Sequence, residues 1–202
     1  MPALILLRHG QSTWNLENKF TGNVDVDLSL LGEQEAWLSS ILLEDYIIDI
    51  AYTSVLKRAV HTLTIILNEM GKKIPIFQSA ALNERNYGDL QGLNKMETEH
   101  KYGVDKVLLW RRSYDIAPPN GESLKDTYNR VVPYYKTAIE PQLKTDKNIL
   151  VVAHGNSLRA LMMYLDGFNA TEIADINIAT GIPRVYEFSP ELKLETANYL
   201  EE

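Results

Sequence analysis

The sequence predicts an α/β fold, a three-layer sandwich in which a central, mostly parallel sheet is flanked by helices. Two observations carry that reading. Ala3-Leu4-Ile5-Leu6-Leu7 and Ile149-Leu150-Val151-Val152-Ala153 are unbroken apolar runs of strand length, the pattern of strands buried on both faces. Each run stops at the same kind of dipeptide, His9-Gly10 after Arg8 in the first case and His154-Gly155 in the second, and the second passes directly into a helical pattern over residues 158–165. In open α/β sheets ligands bind in the crevice outside the carboxyl ends of the strands. Arg8 and His9 therefore stand where chemistry is expected, with Gly10 expected to let backbone approach a ligand closely. If the two strands are parallel neighbours, two imidazoles face each other across one pocket, as a phosphohistidine and its transition-state stabiliser require.

Length and composition set the bounds. A chain of 202 residues, 45% hydrophobic, can bury one core, and a single domain over residues 1–202 is expected. With no Cys there are no disulfides, thiolate nucleophiles or Cys-ligated metals, which fits a reducing compartment. No basic leader with a cleavable apolar stretch opens the chain, and no apolar run is long enough to span a bilayer, so a soluble, cytoplasmic protein is expected. The net charge of −7 argues against nucleic acid or an anionic membrane as partner. An acidic chain that binds phosphate must gather its cations locally. Arg8, Arg58, Lys95, Arg111 and Arg112 are expected to form one positive pocket in a negative shell, which concentrates an anionic substrate.

After the first strand, residues 11–28 are polar and aperiodic and read as a long functional loop in which Asn15, Thr21 and Gly22 offer an amide, a hydroxyl and a flexible backbone. Ser29 is a plausible N-cap for a structural helix whose apolar face comprises Leu30, Leu31, Trp37, Leu38, Ile41 and Leu42. Residues 47–53 read as a second buried strand, and Ser54 as the cap of a helix over residues 55–70. Arg58 in the first turn of that helix opposes the dipole, a conflict that an adjacent anion would relieve. Residues 74–79, with Pro75, read as a short edge strand.

Residues 82–89 form a loop in which Glu84 is a candidate general acid, since partial burial raises a carboxyl pKa; an ordinary ion pair with Arg85 is the competing reading. Residues 92–103 and 104–113 read as two short helices, with Lys95 early in the first. Arg111 and Arg112 end the second, the one placement from which adjacent arginines can reach a common pocket. Ala117-Pro118-Pro119-Asn120-Gly121 is the sharpest break. Glu122-Ser123 opens a long helix interrupted near Pro133, residues 175–181 form a loop, residues 184–188 a strand and residues 192–199 an edge strand.

The motifs together resemble the histidine phosphatase superfamily and, within it, the cofactor-dependent phosphoglycerate mutases. Leu7-Arg8-His9-Gly10-Gln11-Ser12, Phe20-Thr21-Gly22, residues 52–59 (YTSVLKRA), residues 82–88 (LNERNYG), Leu90-Gln91-Gly92-Leu93-Asn94-Lys95, Trp110-Arg111-Arg112 and residues 153–160 (AHGNSLRA) all match, spanning residues 3–190. The resemblance implies a phosphoglycerate mutase-like fold and interconversion of 3-phosphoglycerate and 2-phosphoglycerate through a phosphohistidine on His9. The priming donor it implies is 2,3-bisphosphoglycerate, with no metal. It assigns Arg8, Arg58, Asn15 and His154 to the phosphoryl oxygens, Glu84 to proton transfer, and Gly155 and Asn156 to the same site. The substrate carboxylate and second phosphate fall to Thr21, Gly22, Tyr87, Lys95, Arg111 and Arg112. The connection Pro119-Asn120-Gly121 is short for the family, so a homodimer and a monomer both stay open. Two other activities also stay open: a phosphatase hydrolysing a small phosphorylated metabolite, and a non-catalytic phosphate-binding module.

Overall fold

A computed structural model describes residues 1–200 of the chain. In chain order the elements are β1 (Ala3–Arg8), α1 (Thr13–Leu16), α2 (Leu30–Leu42), β2 (Ile50–Thr53), α3 (Lys57–Glu69), β3 (Ile76–Gln78), α4 (Lys95–Tyr102) and α5 (Val104–Arg112). There follow α6 (Leu124–Tyr134), α7 (Glu140–Leu143), β4 (Ile149–Ala153), α8 (Gly155–Asp166), α9 (Glu172–Asp175), β5 (Arg184–Phe188) and β6 (Leu194–Tyr199). The strands form one sheet in the order β3-β2-β4-β1-β5-β6. The first four are parallel, and β5 and β6 run antiparallel at one side.

Both faces of the sheet are covered, which is why its central strands are apolar at every position. Leu4, Leu6, Ile149 and Val151 pack against α6 and α8 through Leu124, Val131, Leu158 and Leu161. The alternate residues Ile5, Leu7, Leu150 and Val152 pack against α3 through Ala59, Leu63 and Ile66. A third, small cluster of Phe20, Leu90, Val107 and Trp110 lies apart and holds together the excursions beyond the strand ends.

The β1–β4 register sets Arg8 opposite Ala153, and the His9 amide donates to the Ala153 carbonyl at 3.0 Å. The next residue on each strand is a histidine. Beside them, the β2–β4 pairing sets Thr53 opposite Val152, so Ser54 leaves the sheet at the same level.

Several expectations are corrected. The loop over residues 11–28 contains the single-turn helix α1, closed by reciprocal hydrogen bonds between Ser12 and Asn15. The second strand starts at Ile50 rather than residue 47, and α3 begins at Lys57. Ser54 does not cap α3; the preceding residue of that helix is Leu56, and the Ser54 hydroxyl is engaged elsewhere. The long helix after Ser123 does pass through Pro133, ends at Tyr134 and gives way to a π turn over Tyr135–Ile139, as expected where a proline removes one backbone donor.

The largest correction concerns α2, whose inward face is small and polar. Gly32, Ala36, Ser39 and Ser40 are buried, while Leu30, Leu31, Trp37, Leu38 and Ile41 are exposed. The reason is distance. The chain before α2 approaches so closely that a Cβ on Gly10 would overlap the Gly32 backbone and a Cβ on Gly32 the Gln11 backbone, and Ser39 Oγ donates to Gly181 O at 2.6 Å. Gly10 is therefore required by its contact with α2, a need the sequence did not disclose.

Gly32→Ala is predicted to destabilise the chain by about 2 kcal/mol or more through backbone overlap. Leu30→Ser, on the exposed face, is predicted to shift stability by less than about 0.5 kcal/mol. Urea unfolding midpoints of the two variants check this; the reverse order would overturn the inverted orientation of α2.

Candidate active site

The cleft at the carboxyl ends of the parallel strands takes in about 770 Å³, counting the part open to solvent. It is lined by Arg8, His9, Asn15, Thr21, Gly22, Arg58, Glu84, Tyr87, Lys95, Arg111, Arg112, Gly155 and Asn156. His154 stands directly behind, its ring centroid 4.8 Å from that of His9 with the planes at 61°. All the residues singled out in the sequence thus come together, although they arrive from eight separate segments.

His9 is buried and its Nδ1 lies 2.6 Å from Gly10 O. A carbonyl only accepts, so Nδ1 carries the proton and Nε2 keeps the lone pair. Arg58 Nε donates to that Nε2 at 3.2 Å. Burial, then Arg58, then Arg8 hold the His9 pKa well below its ordinary 6.5, so the ring is neutral at physiological pH. Burial and Arg58 depress His154 in the same sense.

Arg58 resolves its conflict with the α3 dipole through the polypeptide itself. Its Nη1 donates to Val24 O at 2.8 Å and its Nη2 to Gly22 O at 2.7 Å, and burial pushes its pKa down to about 10. Arg8 Nη1 donates to Ile178 O at 2.7 Å, and Arg112 Nη1 to Ala174 O at 3.1 Å. Arg111 pairs with Glu99 at 3.2 Å, and burial followed by Arg111 lowers the Lys95 pKa.

Glu84 is not paired with Arg85 side chain to side chain. Its Oε1 accepts from the backbone amides of Arg85 at 2.8 Å and Asn156 at 3.0 Å, the second supplied by the first turn of α8. Oε1 is thereby anchored, and Oε2 takes no hydrogen bond among the described residues. The buried Arg85 guanidinium instead donates to Tyr87 OH and Arg111 O, both at 2.9 Å, tying two walls of the cleft together.

Four features escaped the sequence reading. Lys19, Arg159 and Asn177 also line the cleft. Arg159 Nε and Nη2 donate to Ile176 O at 3.1 and 2.9 Å, and burial, then Arg112, push its pKa down to about 10. Ser54 Oγ lies 2.7 Å from His154 Nε2. The signal for Arg159 was available, since it follows Asn156 by three residues on a helix and so shares its face. That for Ser54 was not, because its partner is 100 residues away.

Arg8 Nε, Thr21 Oγ1 and His154 Nδ1 are buried without a hydrogen-bond partner among the described residues. Orphaned donors of this kind are costly unless a ligand completes them.

Comparison with known proteins accords with this geometry. The model of the histidine phosphatase superfamily (branch 1) matches residues 4–194. A protein of Cytophaga hutchinsonii named 2,3-bisphosphoglycerate-dependent phosphoglycerate mutase is 58% identical over 200 residues, covering 99% of this chain and 94% of that protein. One of the same name from Bartonella tribocorum is 53% identical, covering 94% and 93%. Another from Bacteroides fragilis is 48% identical over 228 aligned positions, covering 99% and 92%; it carries residues with no counterpart here. Among solved structures, Bacillus stearothermophilus YhfR superposes with a TM-score of 0.85 at 24% identity, covering 96% and 95%. A mycobacterial glucosyl-3-phosphoglycerate phosphatase complexed with VO3 does so with 0.84 at 23%, covering 98% and 96%. Those two likenesses establish the three-layer fold. The chain belongs to the histidine phosphatase superfamily and, within it, to the 2,3-bisphosphoglycerate-dependent phosphoglycerate mutases.

Proposed function

We propose that this chain interconverts 3-phosphoglycerate and 2-phosphoglycerate through a phosphohistidine on His9. One observation carries the reading: the cleft is lined by seven cations, Arg8, Lys19, Arg58, Lys95, Arg111, Arg112 and Arg159, against the single carboxylate Glu84. A lone phosphoryl group is satisfied by the cations around His9. The remaining charge is fitted to a ligand bearing a carboxylate and a second phosphate, which a simple phosphatase would not need.

His9 Nε2 attacks phosphorus in line with the departing oxygen, and the proton on Nδ1 stays with Gly10 O. Arg8, Arg58, Asn15 and His154 hold the equatorial oxygens where negative charge is spread in the transition state. Ser54 Oγ already accepts from Leu56 N at 3.2 Å, so its hydrogen is available to His154 Nε2. That donation puts the ring proton on Nδ1, the atom with no protein partner, which then donates to phosphate. Glu84 gives its Oε2 proton to the leaving alkoxide and recovers one from the attacking hydroxyl. Thr21, Gly22, Tyr87, Lys95, Arg111 and Arg112 hold the far end of the substrate, with Gly155 and Asn156 closing the wall between.

The orphaned Arg8 Nε, Thr21 Oγ1 and His154 Nδ1, with the excess of cations, fit a ligand carrying two phosphates. When bound, 2,3-bisphosphoglycerate supplies the phosphoryl group that primes His9. The cytoplasm is the compartment we assign; no helix among the described residues is long and apolar enough to cross a membrane.

Purified protein is predicted to isomerise 3-phosphoglycerate, faster with added 2,3-bisphosphoglycerate, and to retain acid-labile phosphate after exposure to it. His9→Ala is expected to lose both, turnover falling by at least about a thousandfold. Phosphate release without isomerisation would reject the mutase reading in favour of hydrolysis.

Ser54→Ala is expected to lower kcat on the order of tenfold to a hundredfold with little change in KM, because His154 loses its orientation and not its charge. An unchanged kcat would show that His154 needs no such partner.

The depressed imidazoles also fix a stability profile. Unfolded histidines bind protons below their ordinary 6.5 while native His9 and His154 do not, so unfolding free energy falls as pH drops through 6.5 toward their native values. Each contributes up to about 1.4 kcal/mol per pH unit in that window, and nothing above it. Urea titrations from pH 8 to pH 5 are expected to show a shallower loss for His154→Gln than for the unmodified chain; equal slopes would contradict burial of the neutral ring.

A further inference from the structure

Behind the cleft, on the side away from the ligand, an arginine and a glutamate grip the segment that carries Glu84. Arg130 on α6 donates Nη1 to Ala81 O at 2.8 Å and to Asn83 O at 3.0 Å, and Nη2 to Glu84 O at 3.1 Å. The same guanidinium makes a two-pronged pair with Glu122, Nε to Oε1 and Nη2 to Oε2, both at 3.0 Å. Glu122 Oε2 in turn accepts from the Asn86 amide at 2.9 Å. The peptide units on both sides of Glu84 are thus fixed by one ion pair, through two carbonyls upstream, the Glu84 carbonyl itself and one amide downstream.

This segment has no strand or helix ladder of its own to hold it. Between the single turns Ala80–Leu82 and Gly88–Leu90 the backbone is irregular, and irregular backbone is aimed only by what it is bonded to. A planar guanidinium with five donors suits several carbonyls and a carboxylate at once, which an ammonium does not. Glu122 also ends the short connection after Pro119, and the Glu122 amide donates to Asn86 O at 2.8 Å. The connection and the carboxyl-bearing loop are therefore one hydrogen-bonded unit.

We infer that Arg130 and Glu122 are positioning residues for proton transfer by Glu84, acting through the backbone without touching substrate. The inference rests on the assignment of Glu84 as the acid made above. In the step concerned, a bond forms between His9 Nε2 and phosphorus, the bond from phosphorus to the substrate oxygen breaks, and the Glu84 proton passes to that oxygen. An alkoxide leaves poorly without the proton, whereas 4-nitrophenolate, a stable anion, leaves without it. A fault in the aim of Glu84 must therefore slow phosphorylation of His9 by an alkyl phosphate and spare phosphorylation by an aryl phosphate.

The test is rapid-quench phosphorylation of His9 in a single turnover, with 2,3-bisphosphoglycerate as the alkyl donor and 4-nitrophenyl phosphate as the aryl donor. Arg130→Lys and Glu122→Gln are expected to slow the alkyl reaction about thirtyfold to a hundredfold, since displacement of a catalytic group by about 1 Å has effects of that order. The aryl reaction is expected to change less than about threefold. Glu84→Gln should show the same selectivity, and adding Arg130→Lys to it should slow the alkyl reaction no further. Selective loss with Glu84→Gln alone overturns the positioning role and leaves the acid assignment standing; no selectivity in Glu84→Gln overturns the assignment itself. Equal loss on both donors, or additivity in the double variant, assigns Arg130 and Glu122 to general structure and overturns the inference. Arg130→Lys keeps the charge and Glu122→Gln keeps the shape, so a fold defect in one, read from its thermal midpoint, leaves the other to decide.

Discussion

The cleft depends on one constraint, the parallel pairing of β1 with β4 at a register that sets Arg8 against Ala153. Parallel strands in register end together, so the residue after each strand emerges at the same height, and here both are histidines. Their ring centroids stand 4.8 Å apart. Two protonated imidazoles could not share that space beside Arg8 and Arg58. Burial and the neighbouring guanidiniums hold both neutral, which leaves the His9 Nε2 lone pair unprotonated at neutral pH. A slip of one residue would turn every apolar side chain of β1 to the opposite face, so the core that stabilises the sheet also fixes the catalytic geometry.

A second constraint concerns how so many cations stay together without a ligand. Most are held by carbonyl oxygens instead of carboxylates. Arg58 is held by Gly22 and Val24, Arg8 by Ile178, Arg112 by Ala174 and Arg159 by Ile176. A carbonyl dipole orients a guanidinium and offsets part of its desolvation cost, and it leaves the full positive charge in place. A carboxylate at the same point would cancel the potential that draws an anion in. The residues that receive these bonds lie in two short segments, 22–24 and 174–178, so two stretches of backbone determine where the charges point. Among the described residues the one cleft-lining arginine paired to an acid is Arg111, on the rim, where Glu99 shares its exposure.

How much of this the sequence disclosed follows from the range of each interaction. Strand ends, the His-Gly pairs, the Ser29 and Ser123 caps and the break at residues 117–121 are local patterns, and they were legible. So was the convergence of Arg111 and Arg112, because a helix end is a local feature. The fate of α2 was not. Its apolar residues do follow a helical period, but Gly10 and Gly32 meet across 22 positions, and that contact turns the small residues inward and the leucines outward. Ser54 misled for the same reason. A serine before a helix is a good cap by local rule, yet here Ser54 stands two residues before the cap position, its oxygen accepting from Leu56 N and its hydrogen directed at His154, and α3 starts later with no side-chain cap. Arg130 gave no signal at all, since an arginine amid a helix is ordinary until the loop it grips is in view.

The two ends of the substrate site are anchored in different cores, and this bears on how one cleft can serve both positional isomers. His9, His154 and Ser54 stand on the sheet, backed by the two large clusters on its faces. Thr21, Lys95 and the Arg111-Arg112 pair stand on segments gathered around the separate cluster of Phe20, Leu90, Val107 and Trp110. Stability within a protein is distributed according to such contacts, and a small satellite core opens at lower free energy than a sheet does. The phosphoryl-transfer end is accordingly the rigid one, where misalignment is most costly to rate. The gripping end rests on the smaller core, with fewer buried side chains to hold it. Arg85 ties the gripping wall to the loop that carries Glu84, one nitrogen donating to both Tyr87 OH and Arg111 O, and Arg130 with Glu122 holds that same loop through its backbone.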